Sequence, residues 1–231
     1  MLSIVVPTKN EESYLPQLLA SLVLQTEPPF EVIVADANST DSTKEIAKSF
    51  GARVVKGGLP AVGRNMGASC AKGDLLLFLD ADVVLSDPDF LRLCTNEFYT
   101  KKLDVATCSA VPLNGTYLDR ITHQLYNLYA RLWGRHLPHM AGFCVFVKPE
   151  IHKEIGGFDE TIIFCEDHDY ARRAAKLGRF GFLSPGVPVS TRRFKRDGYF
   201  ILFIKFVLAE LHLIFLGPIR RDIFHYTFGH K

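Results

Sequence analysis

The stretch Asp74-Leu75-Leu76-Leu77-Phe78-Leu79-Asp80-Ala81-Asp82 joins an unbroken apolar run to two carboxylates that lie one residue apart. A run this short and this apolar is typical of a β-strand that is buried on both faces. Asp80 and Asp82 then emerge at the carboxyl end of the strand, where open α/β sheets bind their ligands. Because the two acids repel each other unless a cation lies between them, the stretch predicts a Mg²⁺ or Mn²⁺ ion that carries phosphate oxygens. A solvated turn rich in aspartate is the alternative.

Apolar runs that precede this stretch alternate with segments of helical period. Strand-like runs occupy residues 2–6, 31–35 and 52–55, and the first helical stripe consists of Leu15, Leu18, Leu19, Leu22 and Val23. This alternation predicts an α/β fold, with a mostly parallel, Rossmann-like sheet and helices on both of its faces.

Two polar spacings predict where helices begin. Thr8 with Glu11, and Asp41-Ser42 with Glu45, have the spacing of a capping box. Each predicted helix start lies just past a strand end, so the polar loops should collect along one edge of the sheet.

The pattern changes after Asp82. We predict helices from Asp87 to Tyr99 and over 149–155, strands at 104–111 and 143–148, and an acidic helix start at 166–170. A further amphipathic helix is predicted by the stripe of Leu118, Ile121, Leu125, Leu128 and Leu132, and its tyrosines and Trp133 are interpreted as core or covering residues and not as a ligand site.

Composition and charge limit the classes of protein. Of the 231 residues, 48% are apolar and 23% are charged, which excludes a disordered chain. Residues 1–170 carry 15 basic against 22 acidic side chains, whereas residues 171–231 carry 12 against 3. Because the basic residues of this second part flank a strongly apolar segment, they favour a membrane surface over nucleic acid as a partner.

The cysteines and the N-terminus predict a reduced compartment. The five cysteines are odd in number and lack any Cys-x-x-Cys spacing, which favours neither a zinc site nor a disulfide framework. They are Cys70, Cys94, Cys108, Cys144 and Cys165. The first apolar run is too short for a signal peptide, and the residues after it are too acidic, so we expect a cytosolic protein.

Four polar clusters should meet at the carboxyl edge of the sheet: residues 7–11, residues 36–41, Gly63-Arg64-Asn65-Met66-Gly67, and Asp80-Ala81-Asp82. An acid after the second strand suits a ribose hydroxyl or a base, and glycines allow the backbone to approach a ligand. Taken singly, the first two clusters are also ordinary connections between strand and helix.

A fifth cluster, Glu166-Asp167-His168-Asp169, lies beyond the sheet. Carboxylates this close raise one another's proton affinity, which tunes an acid toward general-base catalysis. An acidic helix N-terminus is the alternative interpretation.

In combination these segments resemble the family 2 glycosyltransferases. The motifs occur in the order of that family: Ile-Val-Val-Pro-Thr-Lys-Asn-Glu-Glu, Ala-Asp-Ala-Asn-Ser-Thr-Asp-Ser-Thr, Gly-Arg-Asn-Met-Gly, Phe-Leu-Asp-Ala-Asp, Ile-Gly-Gly-Phe-Asp-Glu and Glu-Asp-His-Asp-Tyr-Ala-Arg-Arg. The resemblance covers roughly residues 2–195. It implies a GT-A fold, a UDP- or GDP-sugar donor and inverting transfer.

The resemblance also implies roles for individual residues. Those that would contact the nucleoside are Pro7, Thr8, Asn10, Glu11 and Asp36. Those that would bind the rest of the donor are Arg64, Asn65, Asp80 and Ala81, with Asp82 and Asp80 as metal ligands. Asp167 would be the catalytic base, and Glu166 and Asp169 are the other candidates.

Two departures from the family pattern bear on the donor site. Many members have Asp-Asp-Gly-Ser where this chain has Asp36-Ala37-Asn38-Ser39, so the base and ribose contacts can differ. Many members also supply a histidine as a metal ligand near the end of the domain, whereas this chain has Arg192 and Arg193. These arginines could bind the diphosphate instead.

The segment 199–217 is almost wholly apolar and nearly long enough to span a bilayer. Lys205, Glu210 and His212 interrupt it, so an interfacial helix is favoured over a spanning one. Its basic flanks are Arg192, Arg193, Lys195, Arg196, Arg220 and Arg221. A helix packed on the body or in a homo-oligomer interface is the alternative. We therefore divide the chain into a GT-A domain, 1–196, and a C-terminal segment, 197–231.

These observations predict a metal-dependent, inverting glycosyltransferase at the cytoplasmic face of the membrane, with a lipid-linked or other membrane-near acceptor. One alternative is a haloacid-dehalogenase-like phosphatase, because residues 78–84 resemble the nucleophile strand of that family. That family normally places the strand first in its core, whereas three β/α units precede it here. The other alternative is a sugar-nucleotide-binding or membrane-docking protein without turnover.

Overall fold

The computed structural model describes residues 1–134 and 137–224, so residues 225–231 of the predicted C-terminal segment lie outside the described part. Its strands form one seven-stranded sheet. They are β1 Leu2–Thr8, β2 Glu31–Asp36, β3 Arg53–Lys56, β4 Leu75–Leu79, β5 Val105–Leu113, β6 Cys144–Val147 and β7 Phe180–Ser190. The order across the sheet is β3-β2-β1-β4-β6-β5-β7.

Helices connect and follow these strands. They are α1 Leu15–Val23, α2 Thr43–Ser49, α3 Pro60–Cys70, α4 Phe90–Thr100, α5 Tyr117–Trp133, α6 Pro149–Glu154, α7 Glu166–Leu177, α8 Arg192–Asp197 and α9 Tyr199–Phe215. The apolar stretch predicted over 199–217 thus forms the helix α9.

The strand directions divide the sheet into two parts. β3, β2, β1 and β4 are parallel, whereas β6 runs antiparallel to both β4 and β5. β7 returns parallel to β5. Thr8 pairs with Asp36 in the register of β1 and β2, so the two strands end level and deliver their loops to the same edge.

Strand β4 lies at the centre of the core. Leu75, Leu77 and Leu79 belong to the apolar cluster that contains the buried faces of α1, α2 and α4. Leu76 and Phe78 belong to the cluster on the other face, with residues of α3 and α7. All five side chains are buried, because the sheet carries helices on both faces, as predicted.

Both predicted capping boxes are wrong. Thr8 is the last residue of β1, and α1 begins seven residues later, at Leu15, without a side-chain cap. The hydroxyl of Thr8 donates to Asp36 instead. Ser42 precedes α2 but makes no capping hydrogen bond; Asp41 accepts from the backbone N–H of Thr43 in its place.

The apolar stripe of α5 lies mostly on the surface. Leu125 and Leu132 are 61% and 70% exposed. The side chains that α5 buries are Asp119, His123 and Ala130. The helix itself is present, and a capping box of Thr116 with Asp119 marks its start. Its leucines therefore belong to the surface of the described molecule.

Helix α3 packs closely on β1 through glycines one turn apart. A Cβ atom on Gly67 would lie 2.2 Å from Cγ1 of Val5, and one on Gly63 would lie 3.0 Å from Cβ of Pro7. The missing side chains let α3 approach the strand. This approach also sets the position of Arg64, which follows Gly63 in the helix and is buried.

We expect Gly67→Ala to destabilise the protein although alanine is the better helix former. The added methyl overlaps the buried Val5 side chain, and overpacking of this kind costs about 1–3 kcal/mol. Chemical denaturation measures the loss, and the exposed Ser69→Ala on the same helix is the control. A Gly67→Ala variant as stable as Ser69→Ala would show that the close approach of α3 is not required.

Candidate active site

The loops after β1 and β2 are joined by hydrogen bonds at the carboxyl edge of the sheet. The carboxylate of Asp36 is buried and accepts from the hydroxyl of Thr8 at 3.2 Å and from the backbone N–H of Ser39 at 2.9 Å. Asn10, which has a φ of 53°, accepts from the N–H of Thr40 at 2.9 Å. Pro7, Thr8, Asn10 and Asp36, predicted for the nucleoside, thus lie together, and their contact with a ligand stays a prediction.

A buried guanidinium joins the aspartates after β4 to the acidic start of α7. Arg64 is 3% exposed, and it donates to Asp80 at 2.9 Å and to Glu166 at 2.8 Å. It also donates to the carbonyl of Gly142 at 3.3 Å. A buried cation needs such partners, because isolated charges are strongly disfavoured in the interior. Burial raises the pKa of Glu166, and the charge of Arg64 opposes that rise.

Asp167, the residue after Glu166, has its carboxylate oriented by backbone N–H groups. Asp167 accepts from the N–H of Gly142 at 2.7 Å and from the N–H of His168 at 2.9 Å. Cys165, with a φ of 60°, turns the chain into α7 just before these acids. Gly142 therefore contacts both Arg64 and Asp167, and a Cβ atom at this glycine would lie 2.5 Å from the guanidinium.

Asp82 contacts a second arginine. Nε of Arg192 lies 3.0 Å from Asp82, and both terminal nitrogens of Arg192 donate to Glu11 at 3.1 Å. The guanidinium also lies over the ring of Tyr14, at 4.4 Å from its centroid. An isolated bridge between Val83 and Val189 brings the chain before α8 to the aspartate loop.

The environment of Asp82 disfavours its ionised form. Burial raises the pKa of Asp82 to about 6; Arg192 and Arg193 lower it, while Asp80 and Glu11 raise it. Carboxylates crowded in this way are suited to a divalent cation, since oxygen donors are its preferred ligands. The prediction of a metal at Asp80 and Asp82 is thus compatible with the donor atoms present.

Other predicted site residues have contacts that fix the surrounding loops. Asn65 exchanges two hydrogen bonds of 2.8 Å with the backbone of Phe158, and so holds the loop before α7. Asp169 pairs with Arg173 at 2.6 Å. Ala81 is buried in the core cluster beside β4. The predicted donor contacts of Asn65 and Ala81 stay predictions.

Several residues of the site were not found from the sequence. Tyr14 and Gly142 lie in segments without a recognisable motif, and their partners are far away in the chain. Arg192 was singled out, but its pairing with Glu11, 181 residues away, was not. The spacing of residues within a short segment cannot predict a contact between residues so far apart in the sequence.

The family of the chain is established by its sequence and its fold together. Residues 3–156 match the family described as Glycosyl transferase family 2. The chain belongs to this family, as the motifs predicted, and its sheet is the GT-A fold. The matched residues include the aspartates after β4 and end before α7, so Asp167 lies outside them. Membership in this family overturns the phosphatase alternative.

Individual relatives agree with this assignment. A glycosyltransferase of Haemophilus influenzae is 31% identical over 193 residues, 74% of this chain and 60% of that protein. The 4,4'-diaponeurosporenoate glycosyltransferase of Staphylococcus haemolyticus is 40% identical over 100 residues, 39% of this chain and 26% of that protein. The chain therefore spans less than two thirds of the length of these relatives.

Solved structures share the fold. The mannosyltransferase PcManGT of Pyrobaculum calidifontis, in complex with GDP-Man and Mn²⁺, has a TM-score of 0.74 at 18% identity and covers 97% of this chain and 68% of its own. TarS of S. aureus, residues 1–349, in complex with UDP-GlcNAc, has a TM-score of 0.68 at 22% identity and covers 91% of this chain and 66% of its own. At these identities the likeness establishes the fold.

We expect Asp82→Asn to raise the free energy of unfolding at pH 7.5. The pKa of Asp82 in the folded protein, about 6, exceeds its ordinary value of 3.8, so its ionisation destabilises the fold as pH rises through this interval. The gain should be about 3 kcal/mol well above pH 6 and vanish below about pH 4.

Urea denaturation across this pH range measures the effect. Asp41→Asn is the control of opposite sign, since hydrogen bonds from Thr43 and Glu12 outweigh burial and lower the pKa of Asp41. A loss of stability in Asp82→Asn that grows with pH would contradict the account of this site.

Proposed function

We propose that the chain is an inverting glycosyltransferase that moves a sugar from a UDP- or GDP-sugar to an acceptor hydroxyl, with Mn²⁺ or Mg²⁺ as cofactor. The observation that carries this proposal is the bridge through Arg64. Its guanidinium contacts Asp80, on the predicted donor side, and Glu166, which precedes Asp167. A donor bound at the aspartates would therefore lie next to a base at Asp167.

On the donor side, the site would have to stabilise the negative charge of the leaving nucleoside diphosphate. Asp82 and Asp80 would hold the cation, which would stabilise the charge that grows on the departing nucleoside diphosphate. Arg192 contributes a positive charge at the same place, where a guanidinium is suited to phosphate oxygens. PcManGT with GDP-Man and Mn²⁺, and TarS with UDP-GlcNAc, support a nucleotide-sugar donor of either kind.

The nucleoside would lie over the ends of β1 and β2. The hydrogen bonds between Asp36, Thr8 and Asn10 and their neighbours hold these loops together there. Glu11, paired with Arg192, connects this region to the aspartates. This arrangement supports one continuous donor site along the edge of the sheet.

Asp167 is the best candidate for the base among the three acids of α7. Glu166 is paired with Arg64, and Asp169 is paired with Arg173. Asp167 is oriented by two backbone N–H groups, which fix the carboxylate for proton transfer. It would take the proton of the acceptor hydroxyl, which attacks the anomeric carbon from the face opposite the leaving group. Inversion at that carbon is the consequence.

The acceptor would be lipid-linked or close to a membrane at its cytoplasmic face. The helix α9 exposes many bulky apolar side chains, including Phe200, Phe203 and Phe215, and Leu216 follows it. Surfaces of this kind mark sites of contact with membranes or proteins. None of the helices within 1–134 and 137–224 is long and apolar enough to cross a membrane. The proposed contact is peripheral because Lys205, Glu210 and His212 interrupt the apolar segment.

The basic flanks contribute unequally to this proposed surface. Arg196, Arg220 and Arg221 are exposed on either side of α9. Arg192 is instead directed at Asp82 and Glu11. The side chain of Lys195 lies outside the described part of the molecule. The segment 197–231 would thus be the membrane-facing part, and a homo-oligomer contact through α9 is the competing use of the same surface.

We expect Asp167→Asn to keep its affinity for the donor and to lose about 10²–10⁴-fold in turnover, the usual contribution of a general base. Asp82→Asn should instead lose affinity, with weaker Mn²⁺-dependent binding of UDP or GDP. Calorimetric titration measures binding, and release of nucleoside diphosphate from the sugar donor, with a polar lipid extract as acceptor, measures turnover.

Asp169→Asn is the matched control on the same turn of α7, and its turnover should stay near that of the wild type. If Asp167→Asn turned over normally, the assignment of the base would be wrong. Donor binding without any turnover in the wild type would favour the non-catalytic alternative.

We expect the protein to sediment with anionic vesicles and to be released by salt, because attraction between surface charges is screened within about 10 Å at 0.1 M salt. Phe203→Ser and Phe215→Ser should each weaken vesicle binding about 10- to 100-fold, since insertion of a Phe side chain contributes about 1.5–3 kcal/mol. Leu24→Ser, at an exposed apolar residue after α1, is the control. Equal binding by all variants would exclude α9 as the membrane contact.

A further inference from the structure

A second group of ligand atoms lies outside the proposed donor site and joins three separate elements. It consists of His139 in the segment before β6, His168 in α7 and Glu210 in α9. One ligand atom from each side chain lies within 4.8 Å of the other two. Among residues 1–134 and 137–224, no other group of three His, Cys, Asp or Glu side chains is this compact.

The hydrogen bonds of His139 fix which ring nitrogen faces the group. Nδ1 lies 2.5 Å from the carbonyl oxygen of Leu137, and because a carbonyl only accepts, Nδ1 carries the proton. In the neutral ring, Nε2 then presents its lone pair to Oε1 of Glu210 at 3.0 Å, and the hydroxyl of Tyr129 lies 3.3 Å from the same nitrogen. Two electron-rich atoms at this distance require a second proton or a metal cation between them. An imidazole oriented by a carbonyl is also the usual arrangement of a metal-bound histidine.

The other half of the group has unsatisfied atoms. Nδ1 of His168 and Oε2 of Glu210 are buried and lie 3.4 Å apart, yet neither makes a hydrogen bond within the described residues. Buried polar atoms without a partner are uncommon and require an explanation such as an ion. Here both atoms belong to the same three-residue group.

Two spacings in the group are close to those around a tetrahedral ion. Ligands bound about 2.0–2.1 Å from Zn²⁺ lie about 3.3 Å from one another in a tetrahedron. Nε2 of His139 lies 3.0 Å from Oε1 of Glu210, and Nδ1 of His168 lies 3.4 Å from the other carboxylate oxygen, Oε2, so each contact is close to this value. Two imidazoles and one carboxylate are a ligand set typical of zinc, whereas Mg²⁺ prefers oxygen ligands.

We propose that His139, His168 and Glu210 form a binding site for Zn²⁺ or a similar transition-metal ion, separate from Asp80 and Asp82. Arg172, which donates to Oε1 of Glu210 at 2.8 Å, orients the carboxylate and balances its charge. The ion would bind α9 to α7 at the residue after Asp167. This proposal does not depend on the sugar-transfer reaction, because it concerns only the attachment of the C-terminal helix.

Titration of the metal-free chain with Co²⁺, which gives visible absorption bands when bound tetrahedrally by nitrogen and oxygen, tests the site. The wild type and Asp82→Asn should both show the tetrahedral absorption bands of one Co²⁺ per chain, and Zn²⁺ should abolish these bands. His139→Gln and His168→Gln should each weaken binding at least 10-fold, the usual effect of removing a ligand or its support. His212→Gln, on α9 but outside the group, should bind like the wild type.

Anomalous diffraction at the zinc edge from wild-type crystals grown with Zn²⁺ gives a test that does not require folded variants. A peak between the three side chains supports the site. Absence of a peak there, or Co²⁺ binding that neither histidine substitution weakens, would overturn the proposal and assign the group to an imidazolium pair with Glu210.

Discussion

The rest of the candidate site depends on the buried guanidinium of Arg64. Because the charge is removed from solvent, it must be met by anions and carbonyls, and the chain supplies Asp80, Glu166 and the carbonyl of Gly142. These partners come from three segments that are far apart in sequence. One side chain thus fixes the end of β4, the loop before β6 and the start of α7 relative to one another. The approach of α3 to β1 through glycine brings Arg64 to this position.

Arg192 has a comparable role at the other end of the site. It connects α8 to Glu11 in the first loop and to Asp82 in the fourth. Unlike Arg64, it is partly exposed and lies beside a carboxylate whose pKa is raised. A cation that binds Asp82 must therefore share this carboxylate with Arg192 or displace the guanidinium. The proposed metal site would attach the C-terminal helix, through Glu210, to His168, the residue after Asp167.

The parts of this architecture that the sequence predicted are those with local signals. The run 75–79 indicated a strand buried on both faces, and the loops after β1 and β2 meet at its carboxyl edge because parallel strands end together. The motifs also indicated the family, which is confirmed. The metal role of Asp80 and Asp82 and the base role of the acids in 166–169 were argued from the residues, and the other roles were implied by resemblance; all of them remain predictions.

The features that the sequence did not predict depend on distant partners. Thr8 and Glu11 have the spacing of a capping box, but stronger interactions with Asp36 and Arg192 use their side chains instead. The leucines of α5 have helical spacing, but period alone does not say which face a helix buries. Glu210 interrupts an apolar helix because it pairs with Arg172, 38 residues away, which no spacing rule includes.

A double-mutant cycle between Arg64 and Glu166 tests the central claim most directly. Arg64→Met leaves Glu166 buried without its cation and should cost about 3–5 kcal/mol of the free energy of unfolding. In Arg64→Met with Glu166→Gln the unpaired charge is gone, so the double variant should be more stable than Arg64→Met alone. If the two losses were instead additive, the guanidinium would not hold α7 to the sheet, and the account of the site would be contradicted.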